Sequence, residues 1–322
     1  MGMLAKVELH LHLDCSLSYE AVARLDASVT RAEYEAEFVA PPVCASLADF
    51  LRRAPRGFQL MQTEAALELV TEDLFAQLAR DGVIYAEIRF APLLHLLQGL
   101  TPEAVVAAVD RATERCIRAT GIEARLILCT LRHFDAVQSL LTAELVERFK
   151  GSRVVALDIA GDEAGFSLEA HVPAFRYAAE KGLFRTAHAG EACGAESVWE
   201  TLRELRPSRI GHGVRSAEDA ALVEFLKERG IHLEVCPTSN VQTRASGSYA
   251  EHAVGKLFGA GVSVGINTDT RMITNVTLEQ EYARLREHFG WGDAELVACN
   301  RAALRAAFVE DGVRVGLMER LG

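Results

Sequence analysis

The chain has 322 residues, 50% hydrophobic and 25% charged, which is ordinary globular composition. A formal net charge of −11 argues against an electrostatic grip on nucleic acid, which needs clustered Lys and Arg. No apolar run approaches the roughly 20 residues of a membrane span, and the N-terminus lacks the apolar core of a signal peptide. The seven cysteines are odd in number, scattered and without a Cys-x-x-Cys pair, so the expected setting is a cytoplasmic protein with reduced, mostly buried thiols.

The first β-rich run is "KVELHLH" (6–12), followed by Leu13 and Asp14. If the strand continues, alternation puts His10, His12 and Asp14 on one side and Leu9, Leu11 and Leu13 on the other. The next run, "VIYAEIRFA" (83–91), comes only after residues 15–82. That stretch is too long for one βα connection and must hold several helices, which are expected to roof part of a barrel mouth. Thr101-Pro102-Glu103 then reads as a cap, a proline at the first helical position and an acid in the first turn. Val105, Val106, Val109, Cys116 and Ile117 follow at helical spacing, and Gly121 can end the helix. Further runs are "EARLILCTL" (123–131), "VVALDIAG" (154–161), "FRTAHAG" (184–190), "SRIGHG" (208–213), "IHLEVCP" (231–237) and "VSVGIN" (262–267). Residues 216–230 predict a helix with Ser216 as cap and Gly230 as stop. Eight strands alternating with helices predict parallel βαβ units closed into an α/β (β/α)8 TIM barrel, with extra helices inserted after the first strand and one catalytic domain over 1–322.

In such a barrel, chemistry sits at the C-terminal ends of the strands. The unusual polar residues of this chain collect there: His10, His12 and Asp14 after the first run, "AGDE" (160–163) after the fourth, "HAGE" (188–191) after the fifth, "GHG" (211–213) after the sixth and "NTDT" (267–270) after the eighth. Singly, each has a plain structural explanation. His212 is most simply a satisfied structural histidine, and Asp269 a helix cap. Five such groups at five strand ends are hard to explain that way. Three imidazoles (His10, His12, His188) and the Asp269 carboxylate form a donor set suited to zinc, with room for a water. Zinc lowers the pKa of such a water to about 7. Glu191 can serve as an acid or base without being a ligand, and His212 can orient or deprotonate the water. Together these residues predict metal-assisted hydrolysis.

"KVELHLHLD", "VVALDIAGDE", "RTAHAGE", "RIGHG", "LEVCPTSN" and "INTD" occur in that order, and together they resemble the adenosine deaminase family from about residue 4 to about 310. The resemblance implies a zinc-dependent barrel that hydrolyses adenosine or deoxyadenosine to the inosine compound and ammonia, with one zinc per chain on His10, His12, His188 and Asp269. It implies that Glu191 protonates purine N1 and that His212 orients or deprotonates the attacking water. Asp269 also hydrogen-bonds the hydroxide, the Gly161 backbone N–H reaches purine N3, and Asp14 contacts the ribose 5′-hydroxyl. "SLADFLRRA" (46–54) resembles the family's lid helix, so Leu47, Phe50 and Leu51 are expected to cover the purine. Helical periodicity alone would instead have them pack the helix's own apolar face.

Two positions depart from the family pattern. Cys15 stands where a glycine usually follows "HLD", and Thr270 stands where a second aspartate usually contacts purine N7. A hydroxyl can donate to N7 without any pKa shift, and its plain alternative role is to cap the next helix. Retention of "AGDE" favours a nucleoside over free adenine. A 5′-modified adenosine, such as aminodeoxyfutalosine or methylthioadenosine, is the main alternative substrate. A non-catalytic zinc or nucleoside binder would need neither Glu191 nor His212.

Overall fold

The computed structural model describes residues 4–321. Eight parallel strands follow one another in chain order: β1 Lys6–His12, β2 Val83–Phe90, β3 Glu123–Leu131, β4 Val154–Ala160, β5 Phe184–Ala189, β6 Arg209–His212, β7 His232–Val235 and β8 Val264–Ile266. Each lies within the run expected for it. These strands are covered on both faces, which is why the runs read as nearly continuous apolar sequence. The barrel closes through the "NTD" segment. Leu11 bridges Asp269, with His12 N–H donating to Asp269 O (2.8 Å) and Asp269 N–H to His10 O (3.1 Å). Asn267 Oδ1 accepts the Leu9 and His10 amides at 2.7 and 3.0 Å. Closure and the candidate metal ligands therefore share one short stretch.

The helix Pro102–Thr120 is as expected: Thr101 accepts the Ala104 amide, Gly121 stops the helix in the left-handed region, and Val105, Val106, Val109 and Cys116 are buried. One cap differs from expectation. Residues Val214–Glu218 form a 3-10 turn that buries Ser216, and the helix Ala220–Arg229 is capped by Asp219, which accepts the Ala221 amide. An aspartate after a tight turn outcompetes the earlier serine because its side chain sits where the first free N–H points.

The insert between β1 and β2 holds a 3-10 turn, Leu13–Cys15, and helices Tyr19–Leu25, Arg31–Glu37, Leu47–Leu51, Ala54–Phe58 and Glu64–Arg80. Strand alternation thus ends at His12. Asp14 reaches the barrel mouth through the turn, not through the strand. Among the described residues no helix is long and apolar enough to cross a membrane. All seven cysteines are free, and six are buried.

Candidate active site

Each polar group expected at a strand end lies at the same mouth of the barrel. Backbone geometry there is unusual. Five non-glycine residues among those described have positive φ, and two of them are His212 (59°) and Asp269 (65°). Such strain persists where the surroundings over-determine it, and it concentrates at functional sites. Gly211 separates two imidazoles: an added Cβ would stand 2.9 Å from His10 Cε1 and 3.2 Å from His188 Cγ.

His10, His12, His188 and Asp269 each offer one ligand atom, all within 4.8 Å of one another. His12 Nε2 lies 3.2 Å from His188 Nε2, and Asp269 Oδ1 lies 3.3 Å from His10 Nε2 and 3.5 Å from His12 Nε2. Ligands about 2.0–2.1 Å from a tetrahedral zinc stand about 3.3–3.4 Å apart, which these three separations match. His10 Nε2 is buried without a hydrogen-bond partner, as a nitrogen reserved for a cation would be. The donor set fits a borderline divalent ion.

The nitrogens turned away from the cluster are held by carboxylates. His10 Nδ1 meets Glu234 Oε2 at 2.9 Å, and His188 Nδ1 meets Asp158 at 3.1 Å. Arg89, fully buried, joins the two carboxylates: Nη1 donates to Asp158 (2.8 Å) and Nη2 to Glu234 (2.6 Å) and to Leu9 O (2.7 Å). Arg209 lies 2.7 Å from Glu234 and 2.6 Å from Glu87. Burial opposes ionisation of Asp158 and Glu234. The charge of His188 with Arg89 at Asp158, and of the two arginines at Glu234, nevertheless holds both well below the usual carboxylate range. Carboxylate–histidine pairs of this kind orient metal ligands and raise their basicity.

Next to the cluster, Glu191, His212 and Asp269 also bring their polar atoms within 4.8 Å of one another. Burial, then the charges of Asp269 and Glu163, push the Glu191 carboxyl well above the usual glutamate range. Glu163 fixes the loop that carries Glu191. It accepts the amides of residues 190, 191, 192 and 193 at 2.6–3.0 Å and the Ser197 hydroxyl at 2.6 Å. His212 Nε2 is 3.6 Å from Glu191 Oε2.

Glu191, His212 and Asp269, with the other expected contacts, line one cavity of about 450 Å³. His12, His188, Glu191, His212, Asp269 and Thr270 form its inner end, and Gly161 (φ +105°) forms part of its wall. Leu47, Phe50 and Leu51 line it from the insert, together with Phe58. Asp14 lines it as well, 4% exposed, its Oδ2 accepting the Ala91 amide at 3.0 Å. Burial raises the Asp14 carboxyl to about 6.

The adenosine deaminase family model matches residues 5–322. The chain belongs to the adenosine deaminase family. It is therefore a hydrolase acting on carbon–nitrogen bonds. It is 35% identical over 327 residues to the adenosine deaminase of Clostridium acetobutylicum, covering 99% of this chain and 97% of that protein. It is 36% identical over 326 residues to the adenine deaminase of Rhizobium etli, covering 99% of each. The solved adenine deaminase of Arthrobacter aurescens superposes with a TM-score of 0.90 at 25% identity, covering 99% of this chain and 98% of that one.

The two departures from the adenosine deaminase pattern have clear surroundings. Cys15 ends the 3-10 turn, buried, and burial with the neighbouring Asp14 charge pushes its thiol well above the usual range. Thr270 is 4% exposed and its hydroxyl has no hydrogen-bond partner. It stands before the helix Arg271–Thr274 without capping it, so the alternative capping role is absent. The helix expected over 46–54 is shorter than that run: it ends at Leu51, and a second begins at Ala54 ahead of Pro55. Sequence reasoning did not pick out Asp158, Glu163, Glu234, Asn240 or His252. The first four lie inside quoted motifs, but nothing local marks which neighbours they hold.

Proposed function

We propose that this chain hydrolytically deaminates adenosine and 2′-deoxyadenosine, with one zinc ion on His10, His12, His188 and Asp269. One observation carries the choice of a nucleoside: the cavity that holds the metal cluster also holds a buried carboxyl, Asp14, close under the lid. Gly57 of the second lid helix is packed against Asp14 O, where an added Cβ would stand at 2.6 Å. A ribose hydroxyl gives Asp14 a donor to accept from, whereas free adenine has no ribose to fill that end of the cavity. A 5′-phosphate would bring a second negative charge against it.

The zinc would lower the pKa of the attacking water towards about 7. Glu191, which burial disposes to keep its proton, gives it to purine N1 and makes C6 electrophilic. His212 faces the attacking water. Thr270 donates to N7, the Gly161 backbone meets the N3 edge, and Leu47, Phe50 and Leu51 cover the base. The relatives named for adenosine and for adenine are equally similar, so identity does not divide those substrates. The single-domain reading, with residues 15–82 serving as lid, belongs to the same proposal.

A substrate panel tests this reading. The zinc-loaded protein is offered adenosine, deoxyadenosine, adenine, adenosine 5′-monophosphate and methylthioadenosine, and loss of adenine absorbance is followed. Adenosine should give the highest kcat/KM. A clear preference for adenine, the monophosphate or the thioether would overturn it.

A further inference from the structure

Where the outer nitrogens of His10 and His188 meet carboxylates, that of His212 meets an amide. Its Nδ1 lies 3.0 Å from Asn240 Nδ2, and Asn240 Oδ1 lies 3.2 Å from His252 Nε2. His252 Nδ1 in turn lies 3.1 Å from the Val254 backbone nitrogen. All three side chains are buried, at 1%, 0% and 3% exposure.

The direction of this chain of hydrogen bonds is set at its far end. A backbone N–H can only donate, so His252 Nδ1 presents its lone pair to Val254. Burial lowers the His252 imidazole to about 4, so it is neutral and its one proton is on Nε2. That N–H requires an acceptor, which places the Asn240 carbonyl oxygen towards His252 and the amide nitrogen towards His212. The Asn240 N–H therefore donates to His212 Nδ1. Neutral His212 then carries its proton on Nε2, the nitrogen on the side of Glu191. The support for Asn240 is itself fixed. Its helix, Pro237–Gln242, begins where the buried Glu281 Oε1 accepts the Thr238 amide at 2.9 Å.

We propose that His252 and Asn240 are positioning residues that hold His212 as the Nε2–H tautomer, so that His212 donates a hydrogen bond to the attacking oxygen and does not take its proton. This rests on the reading of His212 as the group that faces that oxygen. It resolves the two roles left open by the residue types, orientation and deprotonation, in favour of orientation. An imidazole whose only lone pair is turned away towards Asn240 has no site for a second proton on the cavity side.

Long-range ¹H–¹⁵N spectra of the zinc-loaded protein, labelled at histidine nitrogens, read the tautomer directly. The His212 signals are identified by their loss in His212→Gln. The expected pattern is a protonated Nε2 and an unprotonated Nδ1, and the reverse pattern would overturn the proposal. Asn240→Asp offers His212 Nδ1 an acceptor only. It should reverse the pattern and lower kcat by about 10²-fold, the usual cost of a lost transition-state donor, with KM nearly unchanged. Reversal with kcat kept would show that His212 is not needed as a donor. If Asn240→Asp does not fold, the His252 pair decides. His252→Gln can still donate to Asn240 and should keep both the tautomer and most of kcat, whereas His252→Leu should lose both. Retention of both in His252→Leu would overturn the role of His252. A wrong substrate shows differently: wild type fails on adenosine while the His212 spectrum is as expected, and kcat is then read on whichever adenine compound it accepts.

Discussion

At the candidate metal end of the cavity, the residues proposed as ligands stand on or next to strands, and the outer nitrogens of His10 and His188 meet buried carboxylates tied to Arg89. At the lid end, the cover is two five-residue helices, Leu47–Leu51 and Ala54–Phe58, holding apolar side chains over the opening. Their polar ties lie mostly at the surface or within the segment: Ser46 accepts the Asp49 amide, Arg53 reaches the carbonyls of Val39 and Asp49, Arg56 pairs with the exposed Glu37, and Gln62 donates to Phe58 O. The difference follows from the physics of each task. Buried charges are tolerated only when every partner is in place, so the metal end has essentially one arrangement. Apolar cover is non-directional, so no buried charge holds it to one arrangement. Chemistry is built where geometry is over-determined, and access where it is not.

The largest effect should come from emptying the metal end. Elemental analysis is expected to give one zinc per chain, and a strong chelator should abolish turnover, with zinc restoring it. A fully active preparation without transition metal would remove the basis for the whole comparison. Next comes Glu191→Gln, which should still bind zinc and nucleoside but lose about 10²–10⁴-fold in kcat. Its acid role has a pH signature. Because burial raises its folded pKa, the proton is present below that pKa and activity falls as pH rises through it. A variant that keeps more than about a tenth of wild-type kcat would show that Glu191 is not the acid.

A paired measurement sharpens the division between the two ends. Asp158→Asn leaves the fold an acceptor for His188 but removes the charge behind it. Zinc affinity, read by chelator competition, should weaken about 10–100-fold. Leu51→Ala at the lid should leave zinc affinity unchanged and raise KM. Equal weakening of zinc binding in both variants would mean that the ends are not separate units.

The barrel was legible because parallel strands covered on both faces leave apolar runs, and because polar residues recur where those runs end. The convergence of His10, His12, His188 and Asp269 was legible for the same reason. The brace behind it was not. Arg89 and Glu234 sit in the middle of the runs "EIRF" and "LEVC", where a charge suggests a solvent-facing position. In the folded chain they are buried and meet each other and partners from four other strands, a relation that no local pattern expresses. Ser216 misled for the opposite reason: the local cap signal was real, but the chain made a tight turn first and handed the role to Asp219.

The smallest effect concerns Thr270, which lines the cavity next to Asp269. Its hydroxyl is buried, lines the cavity and has no partner in the protein. A buried donor left unmade is costly, so a ligand acceptor is the natural complement. Purine N7 supplies one, and the 7-deaza analogue supplies only C–H. Wild type should therefore prefer adenosine to 7-deazaadenosine, and Thr270→Val should lose about two- to tenfold in kcat/KM on adenosine, the value of roughly 0.5–1.5 kcal/mol for one neutral hydrogen bond. The same variant should lose little on the deaza analogue. The four measurements form a double-mutant cycle, so general damage to the site cancels. Equal losses on both substrates would make Thr270 a structural residue, although the helix after it takes no cap from its side chain. Recognition of N7 could not then pass to the neighbouring Arg271. Its guanidinium is buried, with Nη2 on Glu8 at 2.7 Å and Nη1 on Asp81 at 2.9 Å, and freeing it for a substrate would leave two buried carboxylates without their cation.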